Sequence, residues 1–388
     1  MSTAPLISED AVSQLPALKL LISLGWEYIT PAEALALRGG RRSEVLLYGV
    51  LEEWLREHNR IDYRGESVPF TEANIASAIA SLRDEPDDGL VRTNEKLYDL
   101  LVLGKGLKQT VKGDTKSFQL HYVDWENPEN NCFQVTEEFS VERSGTTETL
   151  RPDLVLFVNG IAFGVIECKR ADLGAGKPAP VIQAIEQQIR NQKPDGIPKL
   201  YRYVQVLGAV SPTGAPEGAA VTEEFVYEAQ LPARYATVGT PRKFWASWRE
   251  RPLHSGKLEV TDEQITEAVN ARLPAEERER LLAGRPPEVR ADFEAAERDG
   301  RLITEQDRLI AGVFSPKRLL TLSHRYIVFD AGVRKIARYQ QYFCVEKIRE
   351  RIRRLGEDGT RSGGVVWHTQ GSGKSLTMVM LVKAIAMD

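Results

Sequence analysis

The sequence predicts an α/β protein with three successive parts. Helical periodicity and alternating apolar runs fill residues 1–252, and a stretch dense in Glu, Arg and Ala follows at residues 253–316. Residues 317–388 end in an apolar run, a glycine-rich turn and a helical pattern. These observations predict a domain built on a mixed or antiparallel sheet, a connector of exposed helices, and the start of a second α/β domain. The boundary near residue 252 follows from the change of composition at Pro252–Gly256.

Length and composition are those of a soluble globular protein. The chain has 388 residues, of which 42% are hydrophobic and 27% charged, and this length suits about two to three domains. No apolar run is long enough to span a bilayer, and the amino terminus lacks the pattern of a signal peptide. The cysteines, Cys132, Cys168 and Cys344, are too scattered for a disulfide framework or a zinc cluster. We therefore expect a cytoplasmic protein without membrane contact.

Apolar spacing predicts three helices near the amino terminus, over Glu9–Trp26, Arg42–His58 and Thr71–Arg83. We expect all three to be structural. Glu9 and Gln14 could reach a metal site from the first helix, but a surface role is the simpler expectation for both.

From Lys96 to Arg143 the pattern changes toward strands. Ser117–Val123 and Asn131–Val141 alternate between apolar and polar residues, and the turn-forming residues Asn127–Asn130 lie between them. Tyr201–Val210 predicts a further strand of the same sheet.

The organising feature of the first part is a hairpin. Leu154–Val158 and Ile161–Ile166 are apolar runs joined by Asn159-Gly160, a dipeptide typical of tight hairpin turns. Charge is absent from the middle of this hairpin and gathers at its open end.

The open end carries the candidate chemistry. Asp153 precedes the first strand, and Glu167 and Lys169 share one face at the end of the second, with Cys168 pointing the other way into the core. Two carboxylates and an amine at a strand end suit a hard cation such as Mg²⁺ with a water-activating amine beside it. The alternative is an ordinary hairpin with solvated charges at its mouth.

The pairing register decides whether these groups meet. With a two-residue loop, Asp153 would pair with Ile166, and its side chain would point away from Glu167. A working site therefore requires a three-residue loop, Asn159–Ile161, with a glycine bulge, or a bend near Pro152-Asp153.

A helix over Val181–Gln192 follows and is rich in amides. Gln187, Arg190 and Asn191 are candidates for contacts with DNA phosphates and base edges. A solvated polar face is the compatible alternative. Because the net charge is −4, any contact with nucleic acid must come from local patches. Basic residues accumulate from Lys317 onwards and form either a solvated face or such a patch.

The second motif with chemistry spans Val365–Leu376, where an apolar strand, a glycine-rich turn and a helix follow one another. This order predicts a phosphate-binding loop. Its predicted nucleotide contacts are Gln370, Gly371, Ser372, Gly373, Lys374 and Ser375. Lys374 would reach the β- and γ-phosphates of ATP, and Ser375 would hold Mg²⁺. The usual first glycine of such loops is His368 here.

The sequence continues for one helix beyond this loop. The acid that shares Mg²⁺ and the residue that positions the attacking water have no place in Leu376–Asp388. We therefore expect a fragment of a longer protein or a natural truncation, and no ATP hydrolysis by this chain alone.

Together these motifs resemble the R (restriction and motor) subunit of type I restriction-modification enzymes. The resemblance covers nearly the whole chain. It is carried by PDLVLFVNG and VIECKR in the hairpin, by the amide-rich helix, by ATVGTPRKFW at Ala236–Trp245, and by ARYQQYF ahead of WHTQGSGKS.

The resemblance implies a restriction-endonuclease-like PD-(D/E)xK domain at residues 1–252, a helical connector at 253–316, and the first part of a RecA-like motor domain at 317–388. In the nuclease domain it implies that Asp153, Glu167 and the backbone carbonyl of Cys168 bind Mg²⁺. Lys169 would orient or activate the attacking water.

Two further assignments come from the resemblance. Gln187 matches the glutamine of a Gln-x-x-x-Tyr motif, whose tyrosine position is Asn191 in this chain. Gln341, with Gln340 as the alternate, matches a glutamine that reads adenine in related motors.

The implied activity is ATP-driven translocation along double-stranded DNA with cleavage away from a site chosen by separate specificity (S) and methylation (M) subunits. One alternative is a non-catalytic docking module of a DNA motor. Another is a helicase-nuclease of a repair or type III-like system.

Overall fold

A computed structural model describes residues 10–170, 179–212, 233–253, 255–356, 359–361, 363–367 and 373–387. The described strands form one six-stranded mixed sheet and four two-stranded ribbons. The α/β class predicted from the sequence is confirmed.

The helices are α1 (Leu15–Ser23), α2 (Pro31–Leu37), α3 (Tyr48–His58), α4 (Glu72–Arg83), α5 (Leu90–Leu103), α6 (Pro180–Asn191), α7 (Pro198–Tyr201), α8 (Asp262–Asn270), α9 (Ala275–Leu282), α10 (Pro287–Asp299), α11 (Glu305–Phe314), α12 (Pro316–Arg325), α13 (Tyr339–Arg353) and α14 (Lys374–Ala386). A π-helical turn, Asp10–Gln14, leads into α1.

The strands are β1 (Glu27–Tyr28), β2 (Arg60–Tyr63), β3 (Glu66–Pro69), β4 (Lys105–Val111), β5 (Asp114–Leu120), β6 (Phe133–Glu137), β7 (Val141–Glu142), β8 (Thr149–Leu150), β9 (Leu154–Val158), β10 (Ile161–Cys168), β11 (Val206–Val210), β12 (Arg234–Ala236), β13 (Ile327–Asp330) and β14 (Val333–Ile336).

The main sheet has the order β1–β6–β9–β10–β11–β12, with β1 parallel to β6, β10 parallel to β11, and the other pairs antiparallel. Every residue of β9, β10 and β11 is buried. Both faces are covered, because Glu167 points to α6 while Gly164 and Gly208 meet Phe314 of α11 on the other face. Strands buried on both faces explain the continuous apolar runs in the sequence.

The hairpin turn is the predicted Asn159-Gly160 pair, with φ angles of 52° and 77°. Asn159 is buried, and its side-chain oxygen accepts from the backbone N–H of Cys132 at 2.8 Å. A Cβ atom on Gly160 would lie 2.5 Å from the carbonyl oxygen of Leu47. The turn therefore requires glycine both for its backbone angle and for the close approach of α3.

The predicted three-residue loop is wrong, because Val158 pairs directly with Ile161 across a two-residue turn. The register shifts instead at a bulge at Phe163, between Ala162 and Gly164, after which Leu154 pairs with Ile166. This one-residue shift brings Asp153 into line with Glu167. The chain also bends at Asp153, as the second predicted solution required.

Several element boundaries differ from the predictions. Tyr201–Val210 is a strand only from Val206, because α7 and a turn occupy its first part. Helix α5 lies partly where strands were expected, and it buries Leu97, Tyr98 and Leu101 at helical spacing.

The expectation that residues 253–316 form exposed helices is wrong in one respect. These helices bury apolar side chains, including Ile265, Leu281 and Phe293, and α8 and α11 pack against α1. The indole N–H of Trp26 donates to the carbonyl oxygen of Phe314 at 2.9 Å. The boundaries at residues 252 and 316 stay predictions. Within the described part of the chain, no helix is both long enough and apolar enough to cross a membrane.

Candidate active site

The carboxylate of Asp153 lies at the end of β10. It is buried, and its Oδ2 atom accepts from the backbone N–H of Cys168 at 2.7 Å. The Nζ atom of Lys169 lies 3.7 Å from the same Oδ2 and donates to the carbonyl oxygen of Cys168 at 2.9 Å. The hairpin thus brings together three of the residues predicted for the site.

Glu167 precedes Cys168 in β10. It is fully buried and pairs with Ala209 of β11. Gln187 of α6 donates to its Oε2 atom at 2.7 Å, and Asn191 lies at hydrogen-bond distance from Oε1, at 3.5 Å. The two amide groups therefore fix the position of both carboxylate oxygen atoms.

The charges of both carboxylates raise the pKa of two buried groups, the Cys168 thiol and the Tyr201 hydroxyl. Burial raises the pKa of the Cys168 thiol well above its usual range, and the charges of Asp153 and Glu167 raise it further. Burial also raises the pKa of Tyr201 well above its usual range, again with contributions from Glu167 and Asp153. Both carboxylates therefore lie near the Cys168 thiol and the Tyr201 hydroxyl.

Helix α6 is fixed on the sheet by Gln188. Its buried side-chain amide donates to the carbonyl oxygens of Val165 and Gly208, both at 3.1 Å. Its side-chain oxygen accepts from the hydroxyl of Tyr201 at 2.9 Å. Since Gln188 bridges β10 and β11, the neighbouring residue Gln187 and the residue one turn later, Asn191, are directed at Glu167. The amide-rich pattern of this helix did not predict the role of Gln188.

The three residues of α6 that were predicted to contact DNA differ in their exposure to solvent. Arg190 is exposed, whereas Asn191 is buried and Gln187 is half-buried against Glu167. The DNA contacts of all three residues stay predictions.

The donor set suits a hard divalent ion, but it is small. In the described ranges, no group of three or more His, Cys, Asp and Glu side chains could hold a metal ion. Asp153, Glu167 and the Cys168 carbonyl nevertheless supply only oxygen atoms, which Mg²⁺ prefers, and both carboxylates are buried. The residues fit Mg²⁺ with water completing its shell, and the metal stays a prediction.

The surface position expected for Gln14 is wrong. Gln14 is buried and donates to Oε2 of Glu137 at 3.1 Å. Glu137 also accepts from Tyr28 at 2.8 Å and from Arg285 at 2.6 Å. The residue after Glu137 donates its backbone N–H to the carbonyl oxygen of Asp153 at 3.0 Å. The sequence did not predict this network, because its members are distant from one another along the chain. Glu9, the other residue expected at the surface, lies outside the described residues.

The described end of the glycine-rich motif consists of Gly373, Lys374 and Ser375, whereas the predicted contacts Gln370, Gly371 and Ser372 lie outside the described residues. Gly373 has a φ of 80° and directly precedes α14. Gln341 is buried, and its amide donates to the carbonyl oxygen of Gly373 at 3.3 Å. Its side-chain oxygen accepts from the backbone N–H of Arg338 at 2.9 Å. The glutamine predicted to read adenine thus lies beside the described end of the glycine-rich motif.

Comparison with known proteins identifies the family of the first part. The family described as "Type I restriction enzyme R protein N terminus" matches residues 6–214, which is more than half of the chain. The chain belongs to this family. The family described as "SWI2/SNF2 ATPase" matches residues 340–388, the segment that contains Gln341 and the glycine-rich motif.

Several curated relatives of this restriction-enzyme family align with nearly all of the chain. The type I restriction enzyme HindI endonuclease subunit of Haemophilus influenzae is 27% identical over 381 residues, covering 96% of this chain and 30% of the relative. The putative type I restriction enzyme MjaIXP endonuclease subunit of Methanocaldococcus jannaschii is 25% identical over 404 residues, covering 97% of this chain and 31% of the relative. The chain therefore spans less than a third of the length of these relatives.

Proposed function

We propose that this chain is the Mg²⁺-dependent endonuclease part of a type I restriction enzyme R subunit, joined to the beginning of its ATP-driven DNA motor. The observation that carries the proposal is the meeting of Asp153, Cys168 and Lys169 at the end of β10, with Glu167 held beside them by α6. The family match and the similarity to type I restriction endonuclease subunits support this class of activity.

The residues of the chain would divide the reaction as follows. Asp153, Glu167 and the carbonyl oxygen of Cys168 would hold Mg²⁺, which supplies charge stabilisation at the scissile phosphate when bound. The Lys169 amine, 3.7 Å from Asp153, would orient a water molecule and assist its deprotonation. Gln187 and Asn191 would keep the Glu167 carboxylate correctly aimed.

The motor part would bind ATP with Mg²⁺. Lys374 and Ser375, at the start of α14, would contact the phosphates and the ion, and Gln341 would contact the adenine. Translocation would require the remainder of the motor and the partner subunits. We expect those partners to be the methylation and specificity subunits of a restriction complex acting on double-stranded DNA.

The test is cleavage by the assembled complex carrying Asp153→Ala, Glu167→Ala or Lys169→Ala. Each variant should cut DNA about 100-fold more slowly or worse, while ATP hydrolysis and translocation persist. Lys193→Ala is the matched control, since Lys193 is an exposed lysine just after α6. Cleavage at the normal rate by the Lys169→Ala complex would refute the role given to this amine.

The small donor set favours one competing function, a docking module whose buried charges are only structural. Metal titration separates the two functions. In a docking module, Asp153 and Glu167 bind no ion. Adding Mg²⁺ or Mn²⁺ would then change no signal from either residue. The family match favours a type I system over a repair or type III-like helicase-nuclease.

A further inference from the structure

The hydroxyl of Tyr201 lies against the buried face of α6, close to the candidate metal site. Tyr201 is the last residue of α7, and its side chain and that of Gln188 are both fully buried. The hydroxyl donates to the Oε1 atom of Gln188 at 2.9 Å. Burial raises the pKa of Tyr201 well above its usual range, and the charge of Glu167 raises it further. The hydroxyl therefore keeps its proton and remains a hydrogen-bond donor.

The direction of these hydrogen bonds is determined by the sheet. The amide nitrogen of Gln188 donates to the backbone carbonyl oxygens of Val165 and Gly208, so its Oε1 atom faces Tyr201. Since a side-chain amide oxygen only accepts, the Tyr201 hydroxyl has to donate to it. The lone pairs of the hydroxyl oxygen are then left for a second partner, which has to be a donor.

This second partner is Asn191, one turn after Gln187 on α6. Burial dominates the pKa of Tyr201, but a hydrogen bond from the buried Asn191 side chain acts to lower it. The Nδ2 atom of Asn191 also lies 3.5 Å from the Oε1 atom of Glu167. An amide nitrogen carries two N–H groups, so one can donate to the hydroxyl and the other to the carboxylate. The hydroxyl thus determines which end of the Asn191 amide faces Glu167.

The backbone around Tyr201 is held by residues outside the site. The Nδ2 atom of Asn94 in α5 donates to the carbonyl oxygen of Arg202 at 2.9 Å. The backbone N–H of Ile197 donates to the carbonyl oxygen of Asn191 at 2.8 Å, which ties the start of α7 to the end of α6. Because the Tyr201 ring is fully buried and its backbone is held, the hydroxyl has a fixed position relative to α6.

We propose that Tyr201 is a positioning residue of the candidate metal site, whose hydroxyl aims the Glu167 carboxylate at the ion through Asn191. This inference rests on the proposed function, because it takes a divalent ion as the ligand of Asp153 and Glu167. Groups that hydrogen-bond to a metal ligand orient it, and their removal typically weakens metal binding by about 10- to 100-fold. Since the hydroxyl acts through one intervening side chain, we expect the lower end of this range.

The test compares two buried tyrosines whose hydroxyls have different partners. Tyr203 is buried like Tyr201, but its hydroxyl donates to the carbonyl oxygen of Leu82 at 2.9 Å. Tyr201→Phe and Tyr203→Phe each delete one buried hydroxyl, so each should raise the unfolding equilibrium constant about tenfold in urea denaturation. Only Tyr201→Phe should raise the Kd for Mn²⁺, by about tenfold. Electron paramagnetic resonance of free Mn²⁺ measures this Kd on the full chain, and Asp153→Asn identifies the binding that belongs to the site.

The route through Asn191 is tested by a double-mutant cycle on the same Kd. Asn191→Ala should raise the Kd for Mn²⁺ about tenfold, and adding Tyr201→Phe should then change it by less than about twofold. If the two effects multiply instead, the hydroxyl does not act through Asn191 and the proposal is wrong.

An unchanged Kd in Tyr201→Phe, or an equal rise in Tyr203→Phe, would overturn the proposal while leaving the metal site in place. A Tyr201→Phe chain that does not fold would overturn it as well, since the hydroxyl would then support the whole fold rather than one carboxylate. If Asp153→Asn removes no Mn²⁺ binding from the wild-type level, the proposed function itself fails.

Discussion

The Asp153 carboxylate accepts a hydrogen bond from the backbone N–H of Cys168 at 2.7 Å. This bond joins the residue before β9 to the last residue of β10. This geometry exists only because the bulge at Phe163 corrects the register of a two-residue hairpin. The Nζ atom of Lys169 lies 3.7 Å from the Oδ2 atom of Asp153. The candidate site is therefore a consequence of strand register, and substitutions in the turn should affect it.

Gly160→Ala should destabilise the protein more than the same substitution in a comparable turn. Gly160 and Gly113 both have positive φ, 77° and 85°, but only a Cβ at position 160 meets backbone atoms. We expect Gly160→Ala to lower the free energy of unfolding by about 3 kcal/mol and Gly113→Ala by about 1 kcal/mol. Urea denaturation measures both. Equal losses would show that α3 yields to the added methyl group.

The hairpin and its charged end could be predicted from local sequence. Asn159-Gly160 fixes the turn, and the apolar runs around it identify buried strands. The bulge at Phe163 could not be predicted, because it depends on packing against Trp125 and on the bond from Gln205, both distant in sequence. Local propensity does not contain that information.

The surroundings of the site were predicted less well for a related reason. The amides of α6 were recognised, but their direction toward Glu167 is set by Gln188, whose partners lie on two other strands. Gln14 was placed on the surface because its partner Glu137 is 123 positions away. The charged pattern of the connector concealed the apolar face that packs on α1.

Asp153→Asn should remove the effect of divalent ions on stability. Replacing the carboxylate keeps the shape of the side chain but leaves Glu167 as the lone anionic ligand. At a Mn²⁺ concentration of about 100 Kd, the wild type should gain about 2.7 kcal/mol in free energy of unfolding, and Asp153→Asn should gain almost none. EDTA should reverse the gain. Asp62→Asn is the control, since Asp62 is exposed on β2. An undiminished gain in Asp153→Asn would place the ion elsewhere.

Arg285→Ala should be far more destabilising than Arg280→Ala. The Arg285–Glu137 pair, 2.6 Å apart, has side chains only 8% and 12% exposed. The Arg280–Glu33 pair, 2.7 Å apart, is 35% and 48% exposed. Truncating Arg285 leaves the buried carboxylate of Glu137 without its guanidinium partner, and should lower the free energy of unfolding by about 3 kcal/mol. Truncating Arg280 should lower it by about 0.5 kcal/mol.

Denaturant unfolding of the two arginine variants gives this comparison. Adding Glu137→Gln to Arg285→Ala should recover part of the loss, because the uncompensated charge is then gone. A loss for Arg285→Ala no greater than that for Arg280→Ala would mean that water solvates the carboxylate of Glu137 once the arginine is removed.

His324 should make the protein sensitive to acid. Burial, with the nearby charges of Arg325 and Lys383, lowers the pKa of His324 from 6.5 to about 4. Between these values the unfolded state binds more protons than the folded state, so stability is complete above pH 6.5 and falls as the pH drops toward 4. The loss should reach up to about 3 kcal/mol.

His324→Phe keeps a ring against Trp125 and should flatten this pH dependence between pH 6.5 and 4, measured by urea unfolding at several pH values. The matched control is His58→Phe, because His58 also stacks on an indole, that of Trp54 at 4.9 Å, but is exposed. His58→Phe should retain the wild-type slope. An unchanged slope in His324→Phe would assign the acid sensitivity to other groups, since the half-buried ring would then contribute no difference in proton binding between the folded and unfolded states.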